Sequence, residues 1–145
     1  MSGALARRTL LGAGLAVLLR PARASSEELA AALQAYSGGA PITAGRVRIE
    51  IAELVENGNA VPVTVRVDSP MTEADHVQAI ALFNQLNPQR DVARFTLSPA
   101  LGRAQVATRI RLATSQQLVA VAKMSDGRFF SQAVDVLVTL AACVE

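Results

Sequence analysis

The chain has 145 residues and a formal net charge of +2, and hydrophobic residues make up 51% of it. One cysteine and one histidine cannot form a zinc site by themselves, and no Gly-rich phosphate loop follows a predicted strand. The first 24 residues contain four arginines and no acid, so the remainder has ten Lys and Arg against twelve Asp and Glu, a net charge of −2. This composition gives no electrostatic case for nucleic-acid binding and fits one domain with a single core.

The first 24 residues have the pattern of an export signal. Arg7 and Arg8 form a basic start, residues 9–19 are apolar, and a small-residue cleavage motif ends at Ala24. The apolar run is well short of the roughly 20 residues that span a bilayer. We therefore predict a signal peptide at 1–24, cleaved after Ala24, and a periplasmic protein without a membrane anchor. The paired arginines favour the twin-arginine route, and an ordinary secretory signal is the alternative.

A short helix is predicted at residues 25–37. Ser25 can cap its start and Glu28 can close a capping box, while the glycine pair at 38–39 ends it. One face of the helix is apolar at the spacing i, i+4, i+7: Leu29, Leu33 and Tyr36. This face is expected to pack against the main body of the protein.

From residue 46 onward the hydrophobic period changes to two. Val47, Ile49 and Ile51 alternate with charged residues, and Pro62 is expected at a strand start or an edge because it cannot donate a ladder hydrogen bond. Further strands are predicted at 61–67, 77–85, 92–97, 104–112, 118–124 and 129–140. About seven short strands separated by turn-forming residues predict an all-β fold, an immunoglobulin-like antiparallel β-sandwich over residues 25–140 with the short N-terminal helix.

Three polar residues are weak candidates for a site. His76 follows Asp75 in a polar loop, where a solvated histidine is a better interpretation than a catalytic base. Arg109 and Arg111 alternate with apolar residues on a strand, which favours an exposed face over an anion site. The acidic surface of a partner could use these two arginines. No catalytic or metal-binding residue is predicted.

The single cysteine, Cys143, is the strongest candidate. An unpaired cysteine in an exported protein suggests intermolecular pairing or a reactive thiol, and an inert buried thiol is the alternative. The apolar alternation of the last predicted strand ends before Cys143, and residues 141–145 form a tail of at most about 17 Å. Chain ends fray unless they are tied down, so we expect this thiol to be accessible.

Several segments together resemble the SoxY family, the sulfur-carrying subunit of the SoxYZ pair in periplasmic thiosulfate oxidation. The segments are ENGNAVPVTVRVDSPMTEADHV, NPQRDVARFTLSP, GRAQVATRIRLATSQQLVAVAKMSDGRFF and VTLAACVE. The resemblance implies that Cys143 holds sulfur intermediates covalently, with no other cofactor. It also implies a SoxZ-like partner in a heterodimer, a c-type cytochrome that couples thiosulfate to the thiol, and a hydrolase that releases sulfate.

The predicted carrier arm, residues 141–145, departs from the Gly-Gly-Cys-Gly-Gly pattern of SoxY. The four glycines are replaced by Ala141, Ala142, Val144 and Glu145, which resembles a SoxY-related branch ending in Ala-Ala-Cys-Ile-Glu. Residues with a Cβ stiffen the arm relative to glycine. The carboxylate of Glu145 disfavours the thiolate of Cys143, so the free thiol is expected to react slowly without a partner enzyme.

Two functions remain open at this point. The first is a non-enzymatic sulfur carrier on which partner enzymes act. The second is a scaffold or binding module of a Sox-like complex that has lost thiosulfate carriage along with the glycines. A thiol redox enzyme is disfavoured, because the sequence provides no resolving cysteine.

Overall fold

A computed structural model describes residues 22–140 of the chain, with side chains from residue 25 onward. One helix, α1, spans Ala22–Ser37. Nine strands follow: β1 Ile42–Ala44, β2 Val47–Glu50, β3 Leu54–Val55, β4 Val61–Val67, β5 Val77–Asn84, β6 Asp91–Thr96, β7 Ala104–Ile110, β8 Gln116–Met124 and β9 Phe129–Val138. A short 3₁₀ helix, Pro99–Leu101, separates β6 from β7.

The strands form two sheets that pack face to face. The larger sheet has the order β1-β9-β8-β5-β6, with β3 added to β9, and the smaller has the order β2-β4-β7. Pairing is antiparallel throughout except at β1 and β3, which both run parallel to β9. The predicted fold class, a β-sandwich with an N-terminal helix, is confirmed.

The core between the sheets comes from the alternation seen in the sequence. In β4, Val61, Val63, Val65 and Val67 are buried while their neighbours face outward. Because side chains in a strand point alternately to its two faces, one face of this strand supplies the core and the other lies at the surface. The same core contains residues of the larger sheet, among them Ile80, Leu82, Leu118, Ala120 and Val136.

The two central strands of the larger sheet are buried on both faces. In β5, residues 80–84 are all buried, and in β8 residues 118–122 are all buried. The inner face packs in the sandwich core, and the outer face packs under α1. The sequences of these two segments are therefore almost continuously apolar, which is the pattern expected of a strand covered on both sides.

The helix α1 packs as predicted, but it begins earlier than predicted. Leu29 is buried, and Leu33 and Tyr36 pack against Phe83 and the other residues of the outer face. Within the described residues the helix extends back to Ala22, so Ser25 lies inside α1 and not at its start. The carboxylate of Glu28 forms an ion pair with Arg90. The capping-box prediction did not include this contact.

The glycine pair ends the helix as expected. Gly38 and Gly39 have φ angles of 64° and 85°, and the amide of Gly39 donates to the carbonyl of Gln34 at 3.0 Å. Left-handed backbone of this kind favours glycine and satisfies helix carbonyls that have no partner inside the helix.

Pro62 occupies a position in β4 that needs no amide donor. The amide of Asp68 donates to the carbonyl of Arg46 at 2.8 Å, so these residues form a hydrogen-bonded pair of the β2–β4 ladder. Antiparallel pairs alternate, so the backbone polar groups of every second residue, Pro62 included, are oriented toward β2. The pairing of β2 stops at Glu50, opposite Thr64. Pro62 therefore lies beyond the end of β2 and near the start of its own strand, as predicted.

Candidate functional site

The predicted sulfur-attachment residue, Cys143, lies outside the described residues. The other residues of the predicted arm, Ala141, Ala142, Val144 and Glu145, also lie outside them, as do Arg7 and Arg8 of the predicted signal. Ala24, the predicted cleavage position, is within α1. The part of the site that can be described is the end of β9, because the arm follows directly from it.

The end of β9 is held by hydrogen bonds to β3 up to the last described residue. The amide of Leu137 donates to the carbonyl of Glu53, and the amide of Thr139 donates to the carbonyl of Val55, each at 2.9 Å. The carbonyl of Leu140 accepts a hydrogen bond from the amide of Gly58 at 2.9 Å. Residue 140 is therefore a fixed point, and the five residues that follow start from a defined place on the sandwich.

A side chain on the other edge of β9 adds to this attachment. The amide of Val138 donates to Oγ of Ser115 at 2.8 Å, and this hydroxyl lies 3.4 Å from the carbonyl of the same residue. Ser115 precedes β8, the antiparallel neighbour of β9. The last residues of β9 are therefore held from both sides. We refer to Glu53, Val55, Gly58 and Ser115 together as the latch.

The surface around the latch is apolar. Leu54, Leu137 and Leu140 are 55%, 60% and 61% exposed, and Leu54 lies directly opposite Leu137 in the β3–β9 pair. Large aliphatic side chains exposed next to one another are a common feature of surfaces that contact other proteins. The predicted arm thus starts at the edge of an apolar patch.

Two open grooves lie on either side of the segment that carries the latch. An apolar groove of about 630 Å³ is lined by Leu54, Val55 and Val61, with Glu50 and Glu56 as its charged residues. A polar groove of about 740 Å³ lies between β6 and β7, and its lining includes Asn59, Arg109 and Arg111. The two grooves therefore differ in charge, one being acidic and the other mainly basic.

The polar groove has a rigid floor made of amide side chains. Asn87 donates through Nδ2 to the carbonyl of Arg111 at 2.8 Å, and its Oδ1 accepts from the amide of Ala113 and from Nε2 of Gln116. Asn84 donates to the carbonyl of Gln89 at 3.0 Å. These amides are engaged in fixing the loop after β5, and Arg109 and Arg111 are the exposed charges of the groove, as the strand pattern predicted.

His76 lies at the opposite end of the sandwich from the latch. Its Nδ1 is 3.0 Å from the carbonyl of Thr72, and its backbone amide donates to Oγ of Ser125, just after β8. The latch contacts the start of β8, so the two ends are separated by about 26 Å along that strand. Cys143 can extend only about 10 Å beyond Leu140, so His76 of the same chain cannot act as its base.

The end of the sandwich near His76 also contains an ion pair in the β8–β9 turn. Asp126 accepts from the amide of Arg128 at 2.9 Å and from Nε of the same residue at 2.6 Å. The backbone hydrogen bond from Arg128, followed by the side-chain one, lowers the pKa of Asp126 below its ordinary value. This carboxylate is consequently ionised at neutral pH and fixes the turn.

Within residues 22–140 there is no group of three His, Cys, Asp or Glu side chains that could hold a metal ion. In the same range, no helix has the length and apolar character needed to cross a membrane.

Sequence reasoning missed the latch. β3 has two residues and β1 has three, and both run parallel to β9, so neither is long enough to show a period. The segment ENGN contains turn-forming residues, and the amide of Asn59 donates to Oδ1 of Asn57, but its composition does not reveal that Gly58 binds the carbonyl of Leu140.

The chain was compared with known proteins. A family described as sulfur oxidation protein SoxY matches residues 33–143, a range that reaches Cys143. No curated protein matches the chain.

Among solved structures, the sulfur carrier protein SoxY from Chlorobium limicola f thiosulfatophilum is similar with a TM-score of 0.67 and 30% identity, covering 79% of this chain and 99% of that one. A superoxide reductase (neelaredoxin) from Ignicoccus hospitalis has a TM-score of 0.57 and 20% identity, covering 65% and 80%. A superoxide reductase from Nanoarchaeum equitans has a TM-score of 0.54 and 14% identity, covering 66% and 100%. The reductases share the fold alone, whereas the family match and the SoxY structure agree over most of the sequence. The chain belongs to the SoxY family of sulfur oxidation proteins.

Proposed function

We propose that this protein is a periplasmic sulfur carrier that holds sulfur intermediates covalently on Cys143 during the oxidation of thiosulfate or a related sulfur compound. The observation that supports this most directly is the latch. It fixes the chain at Leu140, three residues before the only cysteine of the sequence. A carrier needs a fixed body and a thiol on a short extension, and residues 141–145 provide the extension. The family match, which reaches residue 143, supports the same assignment.

The chemistry requires partner proteins. The thiolate of Cys143 and the outer sulfur of thiosulfate form an S–S bond with the loss of two electrons, which a c-type cytochrome accepts. Water then attacks the sulfonate sulfur, giving sulfate, two protons and a persulfide that stays on Cys143. A hydrolase catalyses this second step. Within the described residues there is no group of side chains that could hold a metal ion, and His76, the only histidine of the sequence, lies at the opposite end of the sandwich.

A SoxZ-like subunit is the proposed constant partner, in a heterodimer. The exposed leucines beside the start of the arm are suited to contact with the enzymes that act on the thiol. We assign the arm Ala-Ala-Cys-Val-Glu to the SoxY-related branch with an Ala-Ala-Cys-Ile-Glu ending. That assignment leaves open which enzymes serve this arm.

Export by the twin-arginine pathway, with cleavage after Ala24, is also part of the proposal. Cleavage would remove three residues of α1 and leave its packing on the sheet in place. The helix is held by Ser26, whose Oγ accepts from Nε2 of Gln85 at 3.2 Å, and by Glu28, Leu29 and Tyr36, all of which remain after cleavage. N-terminal sequencing of the protein from the periplasmic fraction should find Ser25 as the first residue. A retained signal in that fraction would contradict the cleavage site.

The test of carriage is the intact mass of the protein isolated from its native periplasm during growth on thiosulfate. We expect adducts of sulfur atoms or of a sulfonate-bearing group, which a reductant removes and which a Cys143→Ser variant lacks. The same variant should fail to support thiosulfate oxidation in vivo. A Cys143→Ser strain that oxidises thiosulfate normally would overturn the carrier and favour a scaffold of a Sox-like complex.

A further inference from the structure

The two sides of the sandwich are closed to different extents. On one side, the amide of Ile49 in β2 donates to Oε1 of Gln132 in β9 at 2.6 Å, which joins the two sheets. The short strands β1 and β3 cover parts of the same edge of β9. On the other side, β6 and β7 are the last strands of their sheets, and within residues 22–140 nothing pairs with their outer edges. The polar groove lies between them.

Of these two edges, β7 is the one that remains suited to pairing. Proteins protect free edges with short strands, charged residues, proline or bulges. The edge of β6 has a register shift opposite Leu82 and Phe83 and carries the ion pair of Asp91 with Arg94. By contrast, β7 is seven residues long, pairs with β4 in unbroken register, and has no proline and one charged residue.

The backbone of β7 presents regular hydrogen-bonding groups to the open side. The hydrogen-bonded pair of Arg46 with Asp68 fixes the alternation in β4, as argued above for Pro62. It follows that Val63, Val65 and Val67 pair by hydrogen bonds with the even-numbered residues of β7. The amides and carbonyls of Gln105, Ala107 and Arg109 are then oriented away from β4, and a further strand could bond to them.

The charge around this edge is mainly positive, with Asp91 in the same groove as Arg109 and Arg111 and Asp68 in the same surface depression as Arg103. Residues 92–125 contain four arginines and one lysine and no Asp or Glu. Three of those arginines border β7: Arg103 precedes it, Arg109 is in it and Arg111 follows it. None of the three has an ion pair with a described residue. The rest of the chain after residue 24 carries an excess of acids, so the excess of basic residues is specific to this segment.

We propose that the outer edge of β7 binds an acidic β-strand of the partner subunit, which adds a fourth strand to the smaller sheet. Backbone hydrogen bonds would supply affinity, and acidic side chains beside Arg103, Arg109 and Arg111 would fix the register. A second copy of this chain is disfavoured as the occupant, because symmetric pairing of two β7 strands would place six arginines along one edge. The assignment rests on the proposed partner subunit and adds where that subunit binds.

Two variants with matched chemistry test the charge. Arg109→Glu changes the open edge, and Arg48→Glu changes the outward face of β2 at the opposite edge of the same sheet, where Arg48 is also exposed. Affinity for the co-purified SoxZ-like subunit is measured by titration calorimetry with the full-length mature chain. We expect Arg109→Glu to weaken binding at least about tenfold, because one attraction becomes a repulsion, and Arg48→Glu to bind as the unaltered chain. Salt should reduce the difference between the two.

An Ala107→Pro variant tests the strand pairing without changing charge. Proline removes an amide that is oriented to the open side and leaves the bonds to β4 in place. Binding should weaken, while the melting temperature of the isolated variant shows whether the sandwich has survived. If Ala107→Pro fails to fold, the charge variants still decide the question.

The outcomes separate this assignment from the proposed function. Equal affinity of Arg109→Glu and Arg48→Glu would overturn the β7 edge as the binding site and leave the partnership intact. Failure of the unaltered chain to bind the SoxZ-like subunit would overturn both. If light scattering showed that the unaltered chain dimerises and that Arg109→Glu abolishes the dimer, the occupant would be a second copy, and an acidic partner strand would be excluded.

Discussion

Tyr36 links the helix to the outer face of the larger sheet. It is the only tyrosine of the chain, and its ring contacts Phe83 and Phe129 edge-on, with centroid separations of 5.5 and 5.9 Å. The guanidinium of Arg94 lies 5.2 Å from its centroid. Burial raises the pKa of Tyr36 above its ordinary value of 10.0, and the charge of Arg94 opposes this to a smaller extent. The neutral phenol is therefore favoured in the folded state.

This raised pKa predicts a loss of stability at alkaline pH. With the folded pKa above the unfolded one, the unfolded chain releases its proton first, so the free energy of unfolding falls once the pH rises above about 10. Absorbance of the tyrosinate should show a higher midpoint for the folded protein than for the protein in denaturant. A Tyr36→Phe variant should lack this contribution. Equal midpoints in the two states would contradict the burial of the phenol.

The reactivity of Cys143 is predicted at the same scale. Glu145 places a carboxylate two residues from the thiol, and the segment LAACVE contains no cation, so alkylation of the native protein should be as slow as that of an ordinary solvent thiol or somewhat slower. Neutralisation by Glu145→Gln should accelerate the reaction modestly, and added salt should reduce the difference. A Glu27→Gln variant, altered on the helix, is the control. A thiol that reacts only after unfolding would contradict the carrier arm.

At the scale of elements, β9 receives more partners than any other strand. It pairs with β8 along most of its length, with β1 at its start and with β3 at its end. Ser115 contributes the remaining attachment at Val138. The latch is thus made of several separate contacts, and the one made by a side chain, that of Ser115, can be removed by substitution.

A Ser115→Ala variant should loosen the end of β9. Loss of the hydroxyl leaves the amide of Val138 without that acceptor, which should lower the free energy of unfolding by about 0.5–1.5 kcal/mol. Hydrogen exchange of the amides of Val138 and Thr139 should increase, while that of β5 stays unchanged. Ser98→Ala is the matched control, because the exposed Ser98 makes no side-chain capping bond. Unchanged exchange at Val138 would show that Ser115 does not hold the strand end.

The elements that the sequence predicts are those with a repeated pattern. β4 alternates over seven residues and was located within a residue, and the helix face of Leu29, Leu33 and Tyr36 was identified from its spacing. The parallel strands β1 and β3 could not be predicted, because their existence depends on β9, more than 80 residues away in the chain. In the uncleaved chain α1 also includes Ala22 and Ala24, which are good helix formers and extend the helix beyond the polar cap signal at Ser25. Of the candidate site, the sequence identified Cys143, and the contacts that fix Leu140 required the fold.

At the scale of the whole molecule, the fold depends on contacts between distant parts of the chain. Ile42 pairs with Phe129, and Leu54 pairs with Leu137. The chain must lose the conformational entropy of closing these long loops before the hydrogen bonds of the paired strands can form. The two short strands that pair with the edge of β9, β1 and β3, lie near the beginning of the domain in the sequence, and β9 is its last strand.

This topology predicts slow folding. All-β domains with distant pairings refold in about milliseconds to seconds, and this chain should do so as well. Stopped-flow fluorescence of Tyr36, with Cys143→Ser to prevent disulfide exchange, measures the rate. A Val138→Ala variant should mainly accelerate unfolding if the β3 contact forms late. Refolding in microseconds would contradict the dependence on distant strands.

The pairing of β9 has a mechanical consequence. The hydrogen bonds of an antiparallel ladder lie perpendicular to the strands. When a protein bound to residues 141–145 exerts force along the axis of β9, the bonds to β8 are loaded together in shear and do not open one after another. The bonds of Thr139 and Leu140 to Val55 and Gly58 lie at the end of the strand where such a force enters. The sandwich can therefore resist traction on its tail, and an enzyme can withdraw from the tail without unravelling the strand to which it is attached.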